Sequence, residues 1–234
     1  PGIYKLKEHS PAQGYEPADT DWTVTIKEDG RIFFKDNHPD KKVVKPEEQW
    51  QTVGDSNKKN HRYYSSNGSP NKLEGRITEV NKATKKFRQV YIINKAPDTL
   101  LNPYFEIHAQ EEKRGLNLDN TKILSVRLVG RQSTPDSLQY VGDDIDYDTK
   151  VFVKNNNQER IQIKPKNLSG NNKTIAVTIE SDLPLQGTIG TGMYFYNYDN
   201  ANHYWYGEWY NTLADMNLKP VKGLATSRSR SYEV

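Results

Sequence analysis

The sequence predicts an all-β protein built from β-sandwich domains. Apolar and polar residues alternate with a period of two in many short stretches, which is the pattern of strands with one buried face. Turn residues separate these stretches, as at Glu28-Asp29-Gly30 and Asn155-Asn156-Asn157. No amphipathic stretch keeps the helical period of about 3.6 residues. Many short strands divided by turns are typical of a sandwich.

The predicted strands cover residues 3–8, 22–27, 31–35, 73–80, 87–93, 121–129, 150–154, 160–164, 173–180, 192–198 and 203–210. The stretch 36–71 lacks this alternation and is rich in Lys, Asn, Ser and Gly, so we predict a polar connector with a domain boundary near residue 70. Trp50 is expected to pin the connector onto a domain. The predicted organisation is a partial module with its connector over 1–70, a second domain over 71–216 and a C-terminal extension over 217–234.

Composition and charge exclude several classes of protein. The 234 residues carry a net charge of +3 with cationic and anionic residues interspersed, which argues against a nucleic-acid partner. No apolar run approaches the roughly 20 residues needed to cross a bilayer, so we expect no membrane insertion. The chain contains no Cys, which excludes a disulfide framework.

Catalytic and metal-binding patterns are weak. Asp144, Asp146 and Asp148 alternate as in a calcium loop but lack the Gly and the distal Glu of an EF-hand, so we interpret them as a solvated acidic turn. The His residues are scattered without ligand spacing, and no phosphate loop or nucleophile elbow is present. The sequence therefore predicts a protein that is not an enzyme and that uses neither a metal nor a cofactor.

A first resemblance lies at the start of the chain. The motifs are Pro1-Gly2-Ile3-Tyr4-Lys5-Leu6-Lys7-Glu8, Gly14-Tyr15, and Trp22-Thr23-Val24-Thr25-Ile26 followed by Asp29-Gly30. They resemble the second half of the collagen-adhesin B-type module, a small β-sandwich of Gram-positive surface proteins and pilins. The resemblance implies that Glu8 matches a buried acid that promotes an isopeptide bond between a Lys and an Asn.

The crosslink predicted by that resemblance is incomplete within this sequence. The Lys-bearing first strand would lie upstream of Pro1, so we interpret the chain as a fragment and expect no internal isopeptide bond. Asn37, the candidate acceptor, follows the hairpin sooner than the family pattern indicates. The alternatives for Glu8 are an edge-strand acid or a buried acid in an unlinked module.

A second resemblance begins in the middle of the chain. Its motifs are residues 73–82 and 86–94, the strand 121–129, Leu138-Gln139-Tyr140 before Asp146-Tyr147-Asp148-Thr149, and the aromatic stretches 192–198 and 204–211. They resemble the N3 domain of the clumping-factor and serine-aspartate-repeat adhesins. The resemblance implies an immunoglobulin-like fold and a cleft between two domains that receives an extended host peptide, commonly from fibrinogen, by β-strand addition. Residues 217–234 would then close over the peptide as a latch strand, although the upstream neighbour here looks like a B-type module instead of the usual N2 domain.

The aromatic hairpin near the C-terminus supplies the candidate binding residues. In strict alternation, Tyr196 and Tyr198 share one face of the first strand, and Tyr204 and Tyr206 oppose Trp205 and Trp209 on the second. Both faces cannot easily be core in a polar chain, so one set of rings is expected to be exposed and to anchor a ligand. The alternative is a core hairpin with alternate rings buried. The candidate ligand-binding residues are Tyr196, Tyr198, Tyr204, Trp205, Tyr206 and Trp209.

Together these observations predict a monomeric adhesin of the MSCRAMM type on the wall of a Gram-positive cell, with its anchor outside this sequence. The expected partner is a host extracellular-matrix or plasma protein of the fibrinogen class. One alternative is a structural stalk or pilin segment that holds another domain away from the wall. The other is a carbohydrate-binding module whose rings stack on a host glycan.

Overall fold

A computed structural model describes residues 1–7, 9, 21–36, 45–54, 61–66, 68, 71–95, 98–109, 116–154, 157–168, 170, 172–198 and 200–221. Within these ranges the regular elements are strands, apart from single 3-10 turns at Pro46–Glu48, Leu118–Asn120 and Leu213–Asp215. None of the described helical segments has the length and apolar character needed to cross a membrane. The prediction of an all-β, immunoglobulin-like sandwich is confirmed.

The chain divides into two compact units, and the first contains one antiparallel sheet. Strands β1 (Gly2–Lys7), β2 (Asp21–Ile26) and β3 (Ile32–Asp36) lie in sequence order. Tyr4, Val24 and Phe34 form one cross-strand row, of which only Val24 is buried. Glu8 and Asn37 lie outside the described residues, so the role of Glu8 and the expected absence of an internal isopeptide bond remain predictions.

The second unit begins at Pro46 and contains two six-stranded sheets. The first sheet has the order β10-β9-β13-β7-β6-β4, and the second has the order β11-β12-β8-β14-β15-β5. The strand bounds are β4 (Gln51–Thr52), β5 (His61–Ser65), β6 (Leu73–Asn81), β7 (Lys86–Ile93), β8 (Tyr104–Ala109), β9 (Lys122–Val129), β10 (Tyr140–Asp144), β11 (Tyr147–Lys154), β12 (Asn157–Pro165), β13 (Thr174–Asp182), β14 (Thr188–Tyr196) and β15 (Tyr204–Thr212). All of these neighbours pair antiparallel.

The core of the second unit is formed by inward-facing residues of both sheets. Phe87, Tyr91 and Val177 come from the first sheet, and Phe105 and Trp205 from the second. All five are essentially inaccessible to solvent. Aromatic and β-branched residues at alternate positions provide this burial, because successive side chains of a strand point to opposite faces.

The connector differs from its prediction because it supplies a strand to each sheet. The boundary was predicted near residue 70, whereas β4 and β5 precede that position and pair inside the second unit. Both strands are short, and their stability comes from the backbone of β6 and β15, so the local sequence gives little sign of them. Trp50 lies under the Arg88 guanidinium, with 3.9 Å from the guanidinium carbon to the ring centroid, in agreement with the pinning role predicted for it.

Candidate functional site

The hairpin formed by β14 and β15 divides its aromatic rings between the two faces of the second sheet. Phe195, Trp205 and Trp209 point into the core. Tyr194, Tyr196, Tyr204 and Tyr206 alternate with them and point outward, and Tyr194 and Tyr206 are directly opposed in the strand register. The alternation predicted from the sequence therefore separates a core set from an outward set.

The two Trp residues of the hairpin are core residues. Trp205 is 1% exposed and stacks on Phe195 with 5.1 Å between ring centroids. Trp209 is 5% exposed and lies 5.5 Å from the ring of Tyr91. Both indoles therefore contribute to packing, and no ligand can stack on Trp205, or on Trp209 while Tyr63 of β5 covers it.

The position of the Trp209 ring also explains a glycine on the same strand. A Cβ atom at Gly207 would lie 2.5 Å from a Trp209 ring carbon, and one at Gly75 of β6 would lie 2.7 Å from the ring. Such distances are well below van der Waals contact, and an indole packed in a core has little room to move. The absence of a side chain at these two positions is what lets the indole lie flat between the sheets.

The outward rings form a continuous surface that we call the outer tyrosine face. Tyr194 is at its centre, with ring centroids 4.0 Å from Tyr206 and 5.4 Å from Tyr196. Tyr196 stacks in turn on Tyr104 of β8 at 4.4 Å, and Tyr206 on Tyr64 of β5 at 6.0 Å. The members of this face are Tyr64, Tyr104, Tyr194, Tyr196, Tyr204 and Tyr206.

The rings of this face differ in their exposure to solvent. Tyr206 is almost buried by its neighbours, Tyr196 and Tyr204 are partly buried, and Tyr64 is 51% exposed. Burial, followed by the adjacent Glu208 carboxylate, raises the pKa of Tyr206 far above that of a free phenol. The phenol therefore stays protonated and donates a hydrogen bond of 2.8 Å to Glu208 Oε1.

A buried carboxylate lies within this surface. Glu106 of β8 is 3% exposed, and it accepts a hydrogen bond from Gln162 Nε2 at 3.0 Å. Its other oxygen lies 3.2 Å from His108 Nε2 and 3.6 Å from Arg160 Nη1. Burial alone would raise the pKa of Glu106, but the hydrogen bonds from His108 and Gln162 and the charge of Arg160 hold it below the usual range. Glu106 is therefore ionised at neutral pH and fully engaged.

Tyr198 lies apart from the outer tyrosine face. It follows the end of β14, is 44% exposed and has a positive φ of 63°, which is uncommon for a residue other than glycine. Its ring packs edge-on against His203 at 4.8 Å. The backbone N–H of Tyr198 donates to Asn197 Oδ1 at 3.1 Å, which helps to fix the turn. Tyr198 is available to a ligand but is separate from the surface that Tyr196 joins.

The outer edge of β15 carries an added strand. β5 pairs antiparallel with β15, with Tyr63 opposite Gly207 and Tyr64 opposite Tyr206. The ring of Tyr63 packs edge-on against Trp209 at 6.1 Å. Next to this strand, the backbone N–H of Ser66 donates to the carbonyl of Tyr204 at 3.1 Å. Because β5 pairs with β15 alone, it is the edge strand of its sheet.

After β15, the start of the C-terminal extension pairs with the connector next to β4. Leu218 forms an antiparallel bridge with Val53, and the N–H of Lys219 donates to the carbonyl of Thr52 at 2.9 Å. Arg76 reinforces this pairing because its Nη2 donates to the carbonyl of Val53 at 2.6 Å. The first described residues of the C-terminal extension therefore cover the outer edge of β4. Residues 222–234 lie outside the described ranges, so a latch role for them remains a prediction.

Two other edge strands of the second unit, β10 and β11, are less suited to accept a peptide. β10 pairs irregularly with β9, and Asp144 at its end forms an ion pair with Arg127 at 3.1 Å. β11 carries a register shift in its pairing with β12 near Phe152. Bulges and charges are devices that discourage pairing at exposed edges. The β15 edge is regular over the whole of its contact with β5.

Sequence reasoning missed the part of the site that lies outside the hairpin. Tyr104 and Glu106 come from β8 and Tyr64 from β5, and neither strand was predicted. The stretch Tyr104-Phe105-Glu106-Ile107-His108 does alternate, so a period-two signal for β8 was present. No cluster of His, Cys, Asp or Glu suited to a metal ion occurs among the residues described here.

Comparison with known proteins gives one family match. The sequence model of the family described as the C-terminus of bacterial fibrinogen-binding adhesin matches residues 73–211, from the first residue of β6 to the end of β15. No curated protein sequence is similar enough to count as a match.

Solved structures give weaker similarities. One is the serine-rich repeat protein Srr2 from Streptococcus agalactiae, with 14% identity, a TM-score of 0.42, and coverage of 68% of this chain and 48% of that one. Another is the serine-rich repeat adhesion glycoprotein Srr1 from the same species, with 12% identity, a TM-score of 0.42, and coverage of 86% and 59%. The chain thus spans about half the length of these proteins.

Proposed function

The chain belongs to the family of the C-terminal domain of bacterial fibrinogen-binding adhesins, and we propose that it captures an extended peptide of a host protein by β-strand addition at the outer edge of β15. A member of this family is a bacterial surface adhesin, a binding protein and not an enzyme. The host partner that we propose is an extracellular-matrix or plasma protein of the fibrinogen class. We further propose that the mature protein is anchored to a Gram-positive cell wall through a segment outside this sequence.

One observation supports the β15 edge as the peptide-binding site that we propose. β15 already accepts a short extended segment along its outer edge, in regular antiparallel register. In this kind of recognition the backbone hydrogen bonds supply affinity, and alternate side chains enter pockets on the two faces. Both faces of the β15 edge offer aromatic surface, with Trp209 on the inner side and Tyr206 on the outer side. A peptide strand at this position would therefore be held by its backbone and selected by its side chains.

The proposal is tested with immobilised human plasma and extracellular-matrix proteins, fibrinogen included, in a surface-plasmon-resonance assay. We expect saturable binding to fibrinogen or a related matrix protein. A variant that lacks residues 222–234 should dissociate faster from the ligand. A closing segment acts after docking, so its removal increases the dissociation rate more than it changes the association rate. This deletion retains the pairing of Leu218 and Lys219 with the connector, so thermal stability should be unchanged and serves as the control.

The outcomes separate the proposal from its alternatives. Binding that persists with an unchanged off-rate after the deletion would reject the closing segment but retain the adhesin. Binding to no protein of the panel, together with binding to no glycan of an array, would favour a stalk or spacer role.

A second candidate function follows from the outer tyrosine face. Tyr64 is 51% exposed, and Tyr196 and Tyr204 present partly exposed rings on the same face of the sheet. Rings in this arrangement can stack on the apolar face of a sugar. We therefore propose a host glycan as the alternative ligand. Selective binding on a glycan array that is lost in Tyr64→Ala, with no binding to the protein panel, would favour it.

A further inference from the structure

The strand β5 lies outside the range that the family model matches, although it completes one of the two sheets of the second unit. The family match covers residues 73–211, whereas β5 spans His61–Ser65 in the connector. Within the matched range, β15 would be an edge strand with its outer backbone groups unpaired. The connector thus brings its own segment to an edge that residues 73–211 of this chain would leave open.

The side chains of β5 fit this edge on both faces. Tyr63 faces inward, where its ring packs edge-on against Trp209 at 6.1 Å. Tyr64 faces outward and stacks on Tyr206. Two consecutive aromatic residues therefore use the two aromatic surfaces that line the β15 edge, one on each side of the sheet.

Few contacts, nevertheless, keep β5 paired with β15. The strand has five residues and pairs on one side only. The residues beside it in the chain are polar and small, with Lys58, Lys59 and Asn60 before the strand and Gly68 and Pro70 after it. The ring of Tyr63 is the inner contact of the strand with the Trp209 indole among the side chains that the structure describes. Short edge segments of this kind open well below the free energy of global unfolding.

We propose that β5 is an internal occupant of the peptide-binding edge, which an incoming ligand displaces, and that the ligand it imitates is an extended peptide with two consecutive aromatic residues. This inference rests on the proposed strand addition at β15 and specifies its regulation and its sequence preference. The first aromatic residue of the ligand takes the place of Tyr63 against Trp209, and the second takes the place of Tyr64 against Tyr206.

An internal occupant weakens binding in a predictable way. The tether gives β5 an effective concentration in the millimolar range, so a free peptide competes only when it binds better or when β5 is weakened. The apparent affinity equals the intrinsic affinity multiplied by the fraction of molecules whose edge is open. A substitution that loosens β5 therefore raises the affinity for a peptide in trans, whereas a crosslink that holds β5 in place lowers it.

The probe is a fluorescent synthetic peptide with the sequence of residues 58–68, measured by anisotropy against the full chain. We expect Tyr63→Ala in the protein to increase its affinity for this peptide by about tenfold or more, because the weakened strand vacates the edge. The same peptide with its own Tyr63→Ala change should bind much more weakly to both proteins. Tyr63→Phe in the protein retains the ring against Trp209 and serves as the conservative control.

A reversible lock tests displacement directly. Tyr64 and Tyr206 are directly opposed in antiparallel strands, and the chain has no Cys, so Tyr64→Cys with Tyr206→Cys permits one intended disulfide. We expect the oxidised form to bind the peptide at least about tenfold less tightly than the reduced form. Asp148→Cys with Lys164→Cys, an opposed pair on β11 and β12 at the other edge of the sheet, is the matched control and should show no redox effect.

Two results would overturn the inference. Equal peptide binding by the oxidised and reduced forms would show that the peptide binds elsewhere, and absence of binding even to Tyr63→Ala would show that the edge does not exchange its strand. These readouts use no host protein, so they are independent of the adhesin's natural ligand. If fibrinogen binds the oxidised and reduced locked variants equally, displacement of β5 is rejected while the adhesin function stands.

Discussion

The two faces of the sheet that contains β15 carry similar numbers of rings in different surroundings. On the inner face, Trp205 and Trp209 are covered by the opposite sheet and by Gly207 and Gly75, which leave space for the indole of Trp209. On the outer face, Tyr204 and Tyr206 are covered mainly by other tyrosines, and the hydroxyl of Tyr206 donates to Glu208. Neighbouring residues of one strand therefore lie in different surroundings: the inner rings pack in the core, and the outer rings are those that we propose for contact with a partner.

The largest effect should come from the inner face. Trp205→Ala removes a ring that is 1% exposed, stacked on Phe195 and close to the ammonium group of Lys72 at 5.3 Å. We expect the free energy of unfolding to fall by about 3–5 kcal/mol, the usual range for an aromatic residue replaced by Ala in a core. Urea denaturation followed by far-ultraviolet circular dichroism measures this change. A loss below about 1 kcal/mol would contradict the assignment of Trp205 to the core.

The same comparison shows how much the sequence could predict. The alternation of residues 192–198 and 203–210 was sufficient to place Trp205 and Tyr204 on opposite faces, because a period of two is a local property of a strand. It could not tell which face is core, since both carry large rings. The alternation of Tyr104 to His108 indicates β8, but the burial of Glu106 depends on Gln162, His108 and Arg160, two of which come from β12. β5 depends on the backbone of β15, so local sequence could not indicate that strand.

A smaller effect is expected from the polar group that supports the outer face. Glu106→Gln replaces a buried carboxylate that interacts with Gln162, His108 and Arg160. At pH 7 we expect the free energy of unfolding to fall by about 1.5–3 kcal/mol, the typical contribution of hydrogen bonds to a charged group. The change is measured by urea denaturation, and Glu159→Gln, on an exposed residue of the neighbouring strand β12, is the control.

The pH dependence of that effect has a definite sign. The folded-state pKa of Glu106 is lowered, so the unfolded state takes up the proton first as the pH falls. The stability that the carboxylate contributes is therefore present above the ordinary Glu pKa of about 4.3 and is lost as the pH falls through the lowered folded value. We expect the difference in unfolding free energy between the original protein and Glu106→Gln to shrink below about pH 4. A constant difference from pH 7 to pH 3 would show that the carboxylate acts through its shape and not through its charge.

The smallest effect on stability should come from Tyr204, the neighbour of Trp205 on the outer face. Its ring lies 5.5 Å from Tyr194 and 6.0 Å from Tyr196 in tilted contacts, and it is only partly buried. Tyr204→Ala should therefore lower the free energy of unfolding by about 1 kcal/mol, the order expected for lost aromatic pairs at a surface. Binding to the host protein or glycan should fall by a larger factor than this loss of stability can explain, because binding anchors are enriched in Tyr. Measurement of both quantities on Tyr204→Ala and Trp205→Ala decides the comparison: if the two variants lose stability to the same extent, the outer tyrosine face is structural, and its rings are a second core layer instead of a surface for a partner.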